Sequence, residues 1–316
     1  MKSRKNISRR SFMHAAAGTA AAMGGTLLGT GAWRNAGANS ASPLAAWAAG
    51  SLKKAACIGV LPKELSVLEK FKLARKVGFE GIEPNTIRRP EEVQEYKEAS
   101  QSTGVKIHSI MNSDHWNYPL SDSDPEVVKK CIDGIKTSLQ NAHELGAETV
   151  LLVPAVVTSE VRYIDAYKRS QQYVNELIPH ARELKVVIAI ENVGNRFLLS
   201  PLEFVRYIDE FNSPWVRAYF DVGNVVSNGF PQDWIRTIGK RLVKVHIKRF
   251  EPGADHPKFD PKDRRTQGID WPEVRRALRD IGYDGWVSVE VRSGDESYLR
   301  DLSLRTDKIF AGENPE

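Results

Sequence analysis

The stretch VRAYFDVGN, residues Val216–Asn224, decides how the chain is read. Val216 to Phe220 has the length and the β-branched and aromatic character of a buried strand. It closes on the carboxylate of Asp221, with Gly223 just beyond. A charge at the end of a buried strand is costly unless it is paired, solvated or bound to a metal. Its partners should therefore lie at the ends of other strands.

Working outward, the same kind of run recurs as AACIGV, FEGIE, VKIHSI, ETVLLV, VVIAIE, VRAYFD, LVKVHIK and GWVSVE, each followed by a segment compatible with a helix. Alternation of this kind implies βα units and a parallel sheet. Eight units fit a closed (β/α)8 TIM barrel better than an open doubly wound sheet, and no GxGxxG follows the first strand. Helix punctuation agrees with this register. Asp124 and Pro125 open one helix and Gly146 stops it; Asp270 and Pro272 open another and Gly282 stops it. The polar, proline-bearing stretch from Arg249 to Gly268 reads as a long loop after strand seven, covering the site or meeting a second copy of the chain.

Active sites of such barrels sit at the C-terminal ends of the strands. Glu191 ends the fifth, Asp221 the sixth and Glu290 the eighth, and His246 lies in the seventh. Neighbouring strands are about 4.8 Å apart, so four side chains on four consecutive strands can converge on one ion. Three carboxylates and an imidazole suit Mn2+, Mg2+, Co2+ or catalytic Zn2+ rather than a closed thiolate site. The two cysteines, Cys57 and Cys131, fall in a strand and a helix without metal-type spacing and read as buried free thiols.

The beginning of the chain is of another kind. MKSRKNISRRSFM precedes a charge-free Ala/Gly-rich run from His14 to Trp33, and SRRSFM, with Arg9, Arg10 and Phe12, looks like a twin-arginine export signal. Residues 1–50 then read as signal peptide and linker, and residues 51–316 as the barrel. The expected location is periplasmic or secreted, after transient membrane passage through the twin-arginine export machinery; retention of the run as a membrane anchor and a disordered tail are the competing readings. The whole chain carries 45 basic and 40 acidic residues, but six of the basic ones precede residue 51, leaving about 39 against 40. The barrel has no basic surplus for a nucleic-acid backbone.

The segments IAIENVGNRF, YFDVGN, KVHIK and GYDGWVSVEV, in this order and spacing, resemble the xylose isomerase-like TIM barrels that include sugar phosphate isomerases and epimerases, ketose 3-epimerases, hydroxypyruvate isomerases and inosose dehydratases. The resemblance covers about residues 54–310. It implies that Glu191, Asp221, His246 and Glu290 bind one divalent metal, commonly manganese, and that Glu191 and Glu290 double as acid and base on opposite faces of the substrate. Two departures set the chain apart from the ketose 3-epimerases: Asn224 stands where they carry a histidine, and Leu198 where they carry a glutamate. Both positions contact substrate in those enzymes.

Such a centre can polarise a sugar carbonyl and stabilise the enediolate left when the adjacent proton departs. Return of the proton from the other face gives epimerisation, return to the neighbouring carbon gives isomerisation, and loss of a β-hydroxyl gives dehydration. The expected function is therefore a metal-dependent isomerase or epimerase of a sugar or keto-sugar. The alternatives are a lyase or dehydratase on a keto-sugar or inosose, and a non-catalytic sugar-binding barrel. No Gly-rich phosphate loop is present, which favours an unphosphorylated substrate. Glu83, His108, Trp116, Asn224 and Lys248 are the candidate substrate contacts: Glu83 and His108 as substrate-hydroxyl or supporting groups, Trp116 as a stacking platform, and Lys248, on the face of His246 by the two-residue strand period, for a substrate oxyanion. The partners expected are a small carbohydrate, no nucleic acid, and a second copy of the chain.

Overall fold

The computed structural model describes residues 52–248, 250 and 268–315. The segment read as export signal and linker, and most of the stretch from Arg249 to Gly268, His256 included, lie outside the described residues.

Helices and strands alternate along the described chain. The strands are β1 (Lys53–Cys57), β2 (Gly81–Glu83), β3 (Lys106–Ile107), β4 (Ser109–Met111), β5 (Thr149–Leu152), β6 (Val187–Glu191), β7 (Val216–Asp221), β8 (Leu242–Ile247) and β9 (Trp286–Val289). The helices are α1 (Val67–Val77), α2 (Pro90–Thr103), α3 (Pro125–Leu145), α4 (Tyr163–Leu184), α5 (Pro201–Asp209), α6 (Pro231–Ile238), α7 (Trp271–Asp280) and α8 (Glu296–Ala311). The strands form one sheet in the order β3-β2-β1-β9-β8-β7-β6-β5-β4, and every described pairing is parallel. β3 and β4 are two halves of one barrel strand, broken at His108. β3 pairs with β2 and β4 with β5, while Met111 N–H donates to Pro84 O at 2.8 Å and stitches the two sides together. The fold is thus a mixed α/β parallel barrel, with the third strand split where the sequence reads as continuous.

Local chemistry explains the boundaries. The Asp124 carboxylate accepts from Glu126 N–H at the start of α3, Pro125 takes the first position, and Gly146 ends the helix in the left-handed conformation. Asp270 caps α7 by accepting from Glu273 N–H. The first strand begins two residues earlier than its apolar run, because buried Lys54 is paired with Asp307 of α8 at 2.6 Å. One large apolar core fills the space between barrel and helices. Inside the barrel a small cluster of Leu151, Ala189 and Tyr219 shares the space with buried polar groups. Among the described residues, no helix is long and apolar enough to cross a membrane.

Candidate metal centre

The parallel register sets the site. Asp221 on β7 pairs directly with His246 on β8, and Glu191 on β6 pairs with Tyr219, two residues before Asp221 on the same face. Glu290 follows β9 immediately, its N–H donating to Ile247 O at 3.0 Å. Glu191, Asp221, His246 and Glu290 each bring one ligand atom to within 4.8 Å of the others. Glu191, Asp221 and His246 are buried and Glu290 is half-buried.

The imidazole of His246 has two faces. Nδ1 points to the carboxylates, 3.3 Å from Glu191 Oε1 and 3.7 Å from Glu290 Oε2. Nε2 lies 2.7 Å from Glu83 Oε2. That oxygen also accepts from Tyr219 OH at 2.8 Å and from the Cys57 thiol at 3.7 Å. Burial works against the Glu83 charge, but His246 outweighs it and brings the pKa down to about 2. Glu83 is therefore an acceptor, and Nε2 carries the proton that it receives. Metal-ligating histidines are oriented in this way.

Cys57, Glu83 and His246 form a second ligand-type cluster. It serves as a hydrogen-bonded support, since Glu83 Oε2 is already saturated with donors and burial pushes the Cys57 thiol up to about 12.

Crowding of like charge shows in the carboxylates. Burial raises Glu191 to about 7, with Glu290 and Asp221 adding to the rise against His246. Burial also raises Asp221, against the pull of Lys248. For Glu290 burial acts in the same sense, but His246 and Lys248 hold the carboxyl below its usual range. Asp221 Oδ1 accepts from Asn224 N–H at 2.8 Å, whereas Oδ2 lies 2.9 Å from Lys248 Nζ without an aligned hydrogen bond. An oxygen-rich donor set, a histidine oriented through its far nitrogen and a cation already drawn to the carboxylates all fit a divalent ion.

The remaining sequence candidates fall in distinct places. Glu83 is 0% exposed, on the far side of His246 from the carboxylates, which makes it a support rather than a contact for a substrate hydroxyl. His108 is buried at the strand break, 3.1 Å from Ser288 Oγ and stacked on Trp286. Asn224 donates its side-chain amide to Asn192 O at 3.0 Å and lines a cavity of ≈ 220 Å³ between the loops after β6 and β7. Trp116, 52% exposed, stands edge-on to His115 in the loop after β4. Lys248 is engaged by Asp221 and Glu290.

Sequence reasoning missed three contributors. Asn192 clamps the ends of β6 and β7, donating to Asp221 O and accepting from Asp221 N–H, both at 2.9 Å. Tyr219 and Cys57 hold Glu83. Asn192 and Cys57 sit next to or at a strand end, and Tyr219 lies two residues before Asp221 on the same face, so the rule that found the ligands could have included them.

A family model of the xylose isomerase-like TIM barrel matches residues 71–307, and the chain belongs to that family. Among curated proteins it is similar to the L-ribulose-5-phosphate 3-epimerase UlaE of Escherichia coli O1:K1 / APEC, 24% identical over 258 residues that cover 77% of this chain and 89% of the relative. Among solved structures it is similar to the 3-keto-D-glucoside 4-epimerase YcjR of E. coli, with a TM-score of 0.67, 20% identity and coverage of 79% of this chain and 97% of that one. It is also similar to the IolI protein with a bound zinc atom, with a TM-score of 0.67, 18% identity and coverage of 83% and 99%. The first two relatives are sugar epimerases, enzymes of the isomerase class.

Proposed function

We propose that the protein is a divalent-metal-dependent epimerase of a sugar or keto-sugar. The observation that carries this reading is the pair of glutamates flanking one imidazole nitrogen, with Glu191 Oε1 3.3 Å and Glu290 Oε2 3.7 Å from His246 Nδ1. Their environments push them apart: Glu191 is raised to about 7, while Glu290 is held ionised. Two carboxylates beside one centre can serve as an acid and a base. One of the two takes the proton from the carbon beside the carbonyl, the other delivers one to the opposite face, and the reverse reaction exchanges the roles. The chemistry that a divalent ion, manganese by preference, supplies when held by Glu191, Asp221, His246 and Glu290 is polarisation of the substrate carbonyl as a Lewis acid. The names of UlaE and YcjR support epimerisation and a keto-sugar substrate; the absence of a Gly-rich phosphate loop from the sequence favours an unphosphorylated one.

Incubation of Mn2+-loaded protein in D2O with ketoses, 3-keto-glycosides and inososes tests the reading. Deuterium enters one carbon of a converted substrate if the reading is right. Loss of water in place of exchange supports the dehydratase alternative, and binding with neither reaction leaves a sugar-binding barrel. Arg9, Arg10 and Phe12 support export of the protein to the periplasm or beyond. Arg9→Lys with Arg10→Lys is expected to retain it inside the cell, and undiminished export of that double variant removes the assignment.

A further inference from the structure

The Lys248 ammonium lies 2.9 Å from Asp221 Oδ2 and 2.8 Å from Glu290 Oε2, so it bridges two of the four carboxylate and imidazole ligands. An ion bonded to those carboxylates would sit about 2.0–2.3 Å from their oxygens. Two cations sharing the same acceptors in a buried site repel strongly, so ammonium and ion exclude each other there.

Gly223 makes the lysine's inward path. A Cβ at this position would stand 2.5 Å from Lys248 Cγ and 3.4 Å from Cδ. Gly223 is not among the residues with positive φ, so its missing side chain serves space rather than backbone conformation. The lysine side chain remains 24% exposed and follows the last residue of β8, which leaves it an outlet to solvent.

We propose that Lys248 is an exchangeable internal cation: its ammonium holds Asp221 and Glu290 until a divalent ion enters, and the ion drives the lysine outward. The device keeps the ends of β7, β8 and β9 together before metal arrives. It rests on the reading of the four residues as a metal centre and goes beyond it by assigning the lysine a competing role.

The test uses the full chain after EDTA treatment. Calorimetric titration with Mn2+ compares wild type with Lys248→Met. Removing a competitor that occupies most of the molecules should tighten Mn2+ binding by about 10- to 100-fold, while the Tm of the EDTA-treated variant falls below that of wild type. In wild type, saturating Mn2+ should accelerate reductive methylation of Lys248, read by peptide mass spectrometry, as the ammonium leaves its ion pairs. A variant that binds Mn2+ no more tightly than wild type, or a Lys248 methylated no faster with Mn2+ present, overturns the exchange alone. A wild type that binds no Mn2+ overturns both the exchange and the metal reading beneath it. The methylation experiment needs no variant, so it decides the matter even where Lys248→Met fails to fold.

Discussion

Glu83 Oε2 receives the Nε2 proton of His246 across 2.7 Å, and both side chains are fully buried. This fixes which imidazole nitrogen faces the carboxylates. Glu83→Gln offers an amide that can donate to Nε2 and favour the wrong tautomer. Mn2+ affinity should fall by about 10–100-fold, the usual effect of losing an orienting partner. Asp221→Asn and His246→Ala, which remove a proposed ligand, should cost more than that. Equal Mn2+ titrations for Glu83→Gln and wild type would show that the contact orients nothing.

Glu290→Gln keeps an oxygen for the ion but cannot accept a proton. Turnover should fall by about 10²–10⁴-fold with substrate binding preserved. Steady-state kinetics on the substrate found in D2O, with metal content measured on the same sample, checks this; wild-type turnover with metal bound would leave Glu290 as a ligand only.

Acid should weaken the fold through two histidines outside the ligand set. Burial lowers His108 to about 3 and His115 to about 4, each against a pull from a glutamate, so both are neutral in the folded protein. Their contribution to stability is fully present above the unfolded value of about 6.5 and is lost as pH falls towards 4 and then 3. Each adds up to about 1.4 kcal/mol per pH unit over that window. Urea denaturation at pH 7, 6, 5 and 4.5 should show stability declining, and His115→Asn should flatten the decline.

The loop carrying His115 and Trp116 depends on a glycine in α3. Asp114 forms an ion pair with Arg88 at 2.6 Å and packs so closely on Gly134 that a Cβ there would meet Asp114 Oδ2 at 1.8 Å. Gly134→Ala should destabilise the protein by about 1–3 kcal/mol through overpacking, despite the better helix propensity of alanine. Thermal melts decide; an unchanged Tm would mean that the loop moves aside freely.

Much of the site was legible because it follows short-range rules. Strand period and strand polarity place Glu191, Asp221, His246 and Glu290 at one end of the barrel, and caps such as Asp124 announce helices within a few residues of themselves. What stayed hidden depends on pairings distant in sequence. Lys54 enters the first strand only because Asp307 meets it, and Cys57 touches His246, 189 residues away, only through the stagger of a closed barrel. From sequence Glu83 reads equally as a substrate-hydroxyl contact or a supporting group, because a strand-end acid looks the same whether it faces a cavity or the back of a histidine.

A closed barrel has no edge strand, so local opening must begin at its weakest seam. Here the seam is the break at His108, where β3 is only two residues long and the sheet order begins and ends. β9, β8 and β7 occupy the middle of that order, opposite the break, and β6 is separated from β4 by β5 alone. Breathing at the seam should therefore reach Asp221, His246 and Glu290 last, and amide exchange should be fastest around Ile107 and slowest along β7 and β8. The barrel can loosen on one side while the other keeps its grip on a cation.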